Sequence, residues 1–592
     1  ADILIGQDHS EALLPLEVRA GARGEPFAVK TLLGWSLNGP VRQRCAGEAR
    51  TSCFVSMGTS VSDSCACDVM LRECDANLDS MLGKTWELAN DGFSGSKPQM
   101  SVQDRQVLRL WDKECKFIDG HFQLPIPWKP QVDVPDNVSV ASCRLRSLEK
   151  NLRKRGLFER YDAEIRKLLD KGYAEPVPNH NVTFSIADVH NGPIKVWYLP
   201  HHLVLNPKKP GKLRIVFDCA ARFEGESLND KCYSGPDLMN HLLYVLIRFR
   251  EGLFAFGGDI EAMYYQVVIP VEERDALRFL WFDQSGQVVH YRMTRHLFGG
   301  IWCSSSSTYA LRKSLVFCTD SDVFDATNFV ISRSFYVDDC LHSTDFEEDL
   351  ARVALDVKDV LERGGFRLTK FIGNSPLLMS ALPAEECVMD PDGMELTSES
   401  KVLGVKWDVQ HDRFKFQGAD FPEISLTRRQ MLRFIATIFD PLGLLSPFVV
   451  QGKELLQRAV RLKLGWDDPI PRSLGESWRL WLCDLRRGCE LSFPRCAKPF
   501  PACDCACELH HFSDASEEAL GCCTYLRCVS RDGDINVSLI CSKGKVAPIK
   551  KTSIPRLELE AAVMSAKVDT TLRSEMSIQL GPSHFWTDSE IV

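Results

Sequence analysis

The chain has 592 residues, of which 44% are hydrophobic, 26% charged and 9% aromatic. That is several domain lengths of ordinary globular composition, which excludes one small binding module and a mainly disordered, collagenous or coiled-coil protein. The net charge of −9 means that any nucleic-acid contact must use local basic surface rather than the field of the whole molecule.

In chain order, Ile3-Leu-Ile-Gly6 opens a strand-rich stretch that runs to about Pro40. Residues 41–140 follow as a linker with helices, Ser/Cys/Gly-rich from Cys45 to Cys67 and punctuated later by Pro125, Pro127 and Pro135. From Ala141 to Lys171 a charged amphipathic helix pair carries ten Lys/Arg against five Asp/Glu, a basic stretch in an acidic protein. Strands and helices then alternate irregularly to about Asn374, which predicts an α+β domain rather than a regular βαβ repeat. Helical patterns resume from Thr427 to Leu485, and a final αβ segment begins near Leu509. The longest apolar runs, such as Leu242 to Ile247, are far below the roughly 18 residues that span a bilayer. No signal-peptide pattern opens the chain, so an intracellular protein with no membrane partner is expected. The 23 cysteines are scattered and read as reduced thiols rather than a disulfide framework.

Chemistry concentrates in acids. Phe254-Ala-Phe-Gly-Gly-Asp259-Ile-Glu-Ala-Met-Tyr264 places a carboxylate at the end of an apolar strand, and Phe335-Tyr-Val-Asp338-Asp339-Cys-Leu341 places two more in a tight hairpin. Three converging carboxylates are the hard oxygen ligands that a pair of Mg²⁺ ions requires for in-line phosphoryl transfer. Without a cation they would repel one another and raise their own pKa values. Lys208, Lys209, Lys212 and Arg214 form a basic patch, either a solvated hairpin or a clamp for phosphate oxygens.

In order and company, the stretch from about Tyr198 to Asn374 resembles the fingers and palm of reverse transcriptases, with Tyr336-Val-Asp-Asp339 matching the family's Tyr-x-Asp-Asp hairpin. The resemblance implies that Asp259 and Asp338 bridge the metals, with Asp339 assisting and completing the metal-binding set. It further implies that Lys208, Lys209 and Arg214 hold the triphosphate, and that Tyr264 packs beneath the incoming sugar and rejects a 2′-hydroxyl. Phe298 and Gly299 would line the template and incoming base, Lys370 would protonate the leaving pyrophosphate, and Leu403 and Gly404 would grip the primer end. One departure stands out: the family continues its Phe-Gly-Gly motif with Ser-Pro, whereas this chain has Cys303-Ser304, and losing that proline frees a fixed φ and is expected to loosen the turn.

A second acid set comprises Asp514, Glu558 and Asp588, on a strand, a helix and a strand end respectively. This order resembles the ribonuclease H fold, which also works with two metals. The family's fourth carboxylate would lie beyond Val592, so a truncated, weak or inactive nuclease is expected. Asp2 to His9 and Leu32 to Pro40 resemble the closing half of a retropepsin-like protease whose catalytic triplet would lie upstream. Together with Ile438-Phe-Asp-Pro-Leu-Gly-Leu-Leu-Ser-Pro447, they resemble the BEL/Pao retrotransposon polyproteins and their Pao peptidase section. Cys496, Cys503, Cys505 and Cys507 with His510 and His511 have poor zinc-finger spacing and read as loop thiols.

The expected architecture is therefore multidomain α+β. Residues 1–40 are the protease remnant, 41–140 the linker, 141–425 a right-hand reverse transcriptase core with fingers, palm and primer grip, 426–505 a helical connection, and 506–592 a truncated RNase H-like α/β domain. The implied cofactors are two Mg²⁺ per site, with Mn²⁺ as a substitute. The implied partners are RNA template, DNA primer and deoxynucleoside triphosphates, within a cytoplasmic virus-like particle. The competing reading is a decayed or domesticated remnant that binds nucleic acid without extending it.

Overall fold

The computed structural model describes residues 100–178, 195–206, 209–319, 321–388, 399–416, 426–590 and 592, and three strands before them. The chain divides into two compact units, Ala1–Cys74 and Asp75–Val592. In the first, Glu17–Arg19, Phe27–Thr31 and Gly34–Asn38 form a small antiparallel sheet in chain order. The expected strand Asp2 to His9 lies outside the described residues.

In the second unit, Ser101 caps the helix Val102–Glu114 through a reciprocal capping box with Asp104. Its Trp111 is fully buried and donates its indole N–H to Pro125 O at 3.1 Å. The segment expected to be a linker is, over residues 100–128, part of a core. Leu124 and Ile126 are buried, and the short hairpin Lys116–Ile118 and His121–Gln123 precedes them. Glu273 accepts from Ile126 N at 2.6 Å and from Trp128 Nε1 at 3.1 Å.

The basic helix pair is present as Val138–Lys154 and Phe158–Asp170. It packs beside a three-stranded sheet, Arg278–Phe282, Val288–Met293 and Ala174–Pro176, and near the hairpin His201–Asn206 with Lys209–Phe217. The central sheet is antiparallel, in the order Phe335–Tyr336, Asp339–Thr344, Phe254–Ile260, Leu368–Gly373. One face of this sheet is covered by the helix Glu347–Arg363, whose Leu350, Val353, Ala354, Val357, Val360 and Leu361 recur at helical spacing and are buried.

Further along, Glu399–Val402, Val405–Asp408, Arg413–Lys415 and Ser492–Pro494 form a second antiparallel sheet. Helices Arg428–Ile435, Ser446–Arg461 and Arg472–Glu490 share a core around Trp478 and Trp481. The last sheet has the order Ile535–Val546, Ala519–Ser530, Cys505–Ala515, Leu580–Trp586. Its first three strands are antiparallel, and the last runs parallel to Cys505–Ala515. The crossover to that strand is the helix Ile554–Glu575. Strand Ala519–Ser530 alternates buried and half-exposed residues along most of its length, as one covered face requires.

This last sheet is not a loosely tethered domain. Cys507, Leu509, Leu520 and Leu526 share one hydrophobic cluster with Val245, Leu341 and Ile372 of the central region. Across the same junction, the buried Arg250 guanidinium donates to Arg495 O, Pro494 O and Ile540 O. Among the described residues, no helix is long and apolar enough to cross a membrane.

Candidate active sites

The first site is built by register. Asp259 lies directly opposite Asp339 on neighbouring antiparallel strands, a position that places Cβ atoms roughly 5 Å apart. The two-residue loop Val337-Asp338 turns the chain between Tyr336 and Asp339. Val337 takes φ +57°, a left-handed conformation costly for a β-branched residue but demanded by the tight hairpin turn. Ile260 N donates to Asp338 O at 2.8 Å, tying the turn to the strand end. As a result, carboxylate oxygens of Asp259, Asp338 and Asp339 lie within 4.8 Å of one another.

Burial and mutual repulsion shape this cluster. Burial first, then the charges of Asp338 and Asp259, push the Asp339 carboxyl up to about 7. Asp338 is also raised, chiefly by burial and then by Asp259, with Lys370 and Arg214 pulling the other way. Lys370, on the strand Leu368–Gly373, ion-pairs with Asp259 and adopts φ +55°. Arg214 is exposed on its strand and close enough for its charge to act on Asp338. Lys208 lies outside the described residues, and only the backbone of Lys209 and Lys212 is described.

A second group adjoins the acids. The Tyr264 ring lies 4.4 Å from that of Phe298, and its hydroxyl is 2.7 Å from Ser304 Oγ. Gly299 has φ +127°, and a Cβ there would sit 2.5 Å from Phe217 O at the end of the Arg214 strand, so only glycine fits. The turn expected to be loose is instead pinned. Asn229 Nδ2 donates to Gly299 O at 3.1 Å, while Asn229 Oδ1 accepts from Ile301 N at 3.1 Å. Two bonds from one amide replace the constraint of a proline, and Ser304 in the first turn of the helix Cys303–Lys313 is free to hold Tyr264. Neither Asn229 nor the Ser304 contact was legible, because both depend on pairings far apart in sequence. Leu403 and Gly404 form another two-residue hairpin loop, with φ +48° and +86°. The Phe439 ring covers Gly404 so closely that a Cβ would meet it at 2.7 Å.

The second acid set also converges: oxygens of Asp514, Glu558 and Asp588 lie within 4.8 Å of one another. The buried Glu558 is raised by burial and then by the charges of Asp514 and Asp588. Its Oε2 is buried without a hydrogen-bond partner, which a cation between the three carboxylates would satisfy. Both acid clusters therefore fit hard divalent ions.

The cysteines and histidines near residue 500 do not gather as one set. His511 is fully buried between Thr524 Oγ1, at 2.9 Å, and Asp569 Oδ1, at 3.1 Å. Cys503 is exposed, and Cys496 donates to Lys498 O at 3.0 Å. His510 stacks on His584 beside Glu508. Trp586 Nε1 donates to His510 Nδ1 at 3.2 Å, which leaves the proton of a neutral ring on Nε2, the atom facing Glu508, and makes this trio a poor metal site. Cys505 and Cys507 are strand rather than loop thiols.

The sheet with its crossover helix and acid trio defines an RNase H-like domain. Residues 427–589 match the family described as the Pao retrotransposon-like RNaseH-like domain. The match takes in the helices Arg428–Glu490 together with the last sheet, and its description names an RNase H-like domain, not the peptidase section expected. No protein with a curated description matches the chain. Solved structures similar to this chain include three of the foamy viral protease-reverse transcriptase. The form with an RNA/DNA hybrid has TM-score 0.45 and 13% identity, over 85% of this chain and 57% of that one. The dRH form with double-stranded DNA has TM-score 0.43 and 14% identity, over 86% and 75%. The form with dsDNA has TM-score 0.41 and 14% identity, over 86% and 89%.

Proposed function

We propose that the chain is the RNA-directed DNA polymerase part of a BEL/Pao-type retrotransposon polyprotein, joined to an RNase H-like domain. The observation that carries this reading is the convergence of Asp259, Asp338 and Asp339 from a strand end and a hairpin tip. Asp259, Asp338 and Asp339 would hold two Mg²⁺ ions, which supply Lewis-acid activation of the primer hydroxyl and charge neutralisation on the phosphates. Mn²⁺, with the same preference for oxygen ligands, is a natural substitute.

The side chains around the acids have distinct tasks. Arg214 and the lysines of its hairpin hold the triphosphate by charge-assisted hydrogen bonds. Tyr264, braced by Phe298 and Ser304, presents its ring edge to the incoming sugar and excludes a 2′-hydroxyl. Lys370 offers its ammonium proton to the departing pyrophosphate and, before substrate arrives, offsets the charge of Asp259. Leu403 and Gly404 hold the primer end from their hairpin tip. In the RNase H-like domain, Asp514, Glu558 and Asp588 form the matching acid set for phosphodiester hydrolysis. The partners are RNA template, DNA primer and deoxynucleoside triphosphates.

Primer extension on an RNA template with Mg²⁺ tests the reading. Wild-type protein should incorporate deoxynucleotide, and Asp338→Asn should reduce incorporation by at least about 10³-fold, or about 4 kcal/mol in the barrier. Equal incorporation by the two proteins would remove the catalytic assignment. Binding of primer-template without incorporation by wild type would instead support a domesticated nucleic-acid-binding protein.

A further inference from the structure

Outside both acid sites, three thiols meet at the end of the last sheet. Cys505 and Cys507 lie two residues apart on one strand and so share a face, and Cys507 is paired directly across from Cys528 on the next strand. The Sγ atoms of Cys505 and Cys507 are 3.7 Å apart, those of Cys507 and Cys528 are 3.4 Å apart, and all three lie within 4.8 Å of one another. A tetrahedral zinc-thiolate site with Zn–S of about 2.3 Å places its sulfurs about 3.8 Å apart, so these thiols stand near ligand spacing already.

The surroundings also suit such a site. Cys528 and Cys507 are buried, while Cys505 is half-exposed and gives an ion a way in. The fully buried Lys498 ammonium is held by Asp345 Oδ1 at 2.7 Å and Phe500 O at 2.6 Å. It lies near enough to act electrostatically on both Cys505 and Cys507. A positive charge there offsets the negative charge of three thiolates around a divalent ion.

We propose that Cys505, Cys507 and Cys528 bind one thiophilic divalent cation of the zinc class. The three sulfurs leave one tetrahedral position, which a solvent oxygen entering past Cys505 completes. The site's place in the fold gives it a structural task. It joins the strands Cys505–Ala515 and Ala519–Ser530 where the loop carrying Lys498 docks on Asp345, just beyond the strand Asp339–Thr344. Soft sulfur ligands separate it from the oxygen-only acid clusters, so the two kinds of site select different metals.

The probe is Cd²⁺ alone, added to the full chain after reduction and removal of metals. Its thiolate charge-transfer absorption reports sulfur ligation directly. Wild type should take up one tightly held equivalent with this signature, and so should Cys143→Ser, which changes an exposed thiol elsewhere. Cys505→Ser should weaken that equivalent by at least the roughly 100-fold that loss of even an outer partner can cause, and Cys528→Ala should do the same. Cys505 is half-exposed, so its serine variant keeps the test sound if Cys528→Ala fails to fold. Equal Cd²⁺ affinity and absorption in wild type and Cys505→Ser would overturn the site. So would a Cys507–Cys528 disulfide that re-forms after reduction and leaves the wild-type protein without tight Cd²⁺ uptake.

Discussion

At the scale of single residues, the cluster of Asp259, Asp338 and Asp339 is a place where folding and chemistry pull apart. Asp338 and Asp339 sit half-buried beside Asp259, and Val337 holds a backbone conformation that its side chain disfavours. Asp339 is raised to about 7, so the folded state binds its proton more tightly than the unfolded chain does. Its stabilising effect is complete below the ordinary carboxylate pKa and is lost as pH rises through about 7. Asp338→Asn removes one repelling charge and brings Asp339 back toward its ordinary range. In metal-free protein, the loss of thermal stability between pH 5 and pH 8 should be smaller in Asp338→Asn than in wild type. A loss of equal size in both proteins would show that the two carboxylates do not repel as their positions require. Tyr264 makes a different prediction. Tyr264→Val removes both the ring and its Ser304 hydrogen bond, and should raise the ratio of ribonucleotide to deoxynucleotide incorporation by tenfold or more, about 1.4 kcal/mol. The three acids were legible as one cluster because their spacing is local to one strand end and one hairpin, whereas Tyr264 was singled out by resemblance. The bracing roles of Asn229 and Ser304 were not legible, since they appear only when the turn after Phe298 and the helix that follows it meet segments some seventy and forty residues earlier.

At the scale of elements, alternation was a good guide where one face is covered, and a poor one where a chain threads through a core. Strand Ala519–Ser530 shows its buried face in sequence. By contrast, Leu124 and Ile126 are too few and too close to prolines to announce a core segment, and only the residues around them reveal their burial. The stretch after Ile438 shows how a motif of lineage can also be a joint. Asp440 accepts from Leu444 N at 2.9 Å and Leu445 N at 2.6 Å, closing a turn whose Leu442 O accepts from Ser542 N at 2.9 Å. Gly443 has φ +71°, and a Cβ there would lie 1.8 Å from Ser542 O. Gln457 in the following helix donates to Ala547 O at 2.7 Å. The helical section is thus bound to the edge strand of the RNase H-like sheet, in keeping with a single family match across both. Asp440→Ala should cost about 1–3 kcal/mol by leaving two backbone donors without their partner. Gly443→Ala should cost more, through both the left-handed φ and the contact with Ser542. Denaturant midpoints of the two variants check the order, and a milder effect at Gly443 would contradict the docking.

At the scale of the whole second unit, two buried arginines decide whether the central-sheet region and the last sheet unfold together. Arg495 is fully buried and, from just before the last sheet, spends its whole guanidinium on the segments around residues 249–253 and 412. It pairs with Asp412 at 2.6 and 2.8 Å, and donates to Phe249 O, Gly252 O and Leu253 O at 2.6 to 2.9 Å. Arg250 answers from the other side, reaching Ile540 O within the last sheet at 2.6 Å. Arg248 and Arg333 both pair with Glu575 at the end of the crossover helix. Such bonds cost desolvation to form, so they contribute less to net stability than their number suggests, but removing one partner strands the other. Arg495→Met keeps the bulk of the side chain while leaving Asp412 and three carbonyls without it, which should cost on the order of 3–5 kcal/mol. The energetic link lies between parts that each have other core contacts, so the loss should fall on their coupling. Wild type should show one denaturant transition for the second unit, followed by tryptophan fluorescence and circular dichroism alike, whereas Arg495→Met should separate the two signals into distinct midpoints. If wild type already unfolds in two steps, or if the variant shifts both signals together without separating them, the arginines stabilise their surroundings but do not join the two parts into one cooperative body.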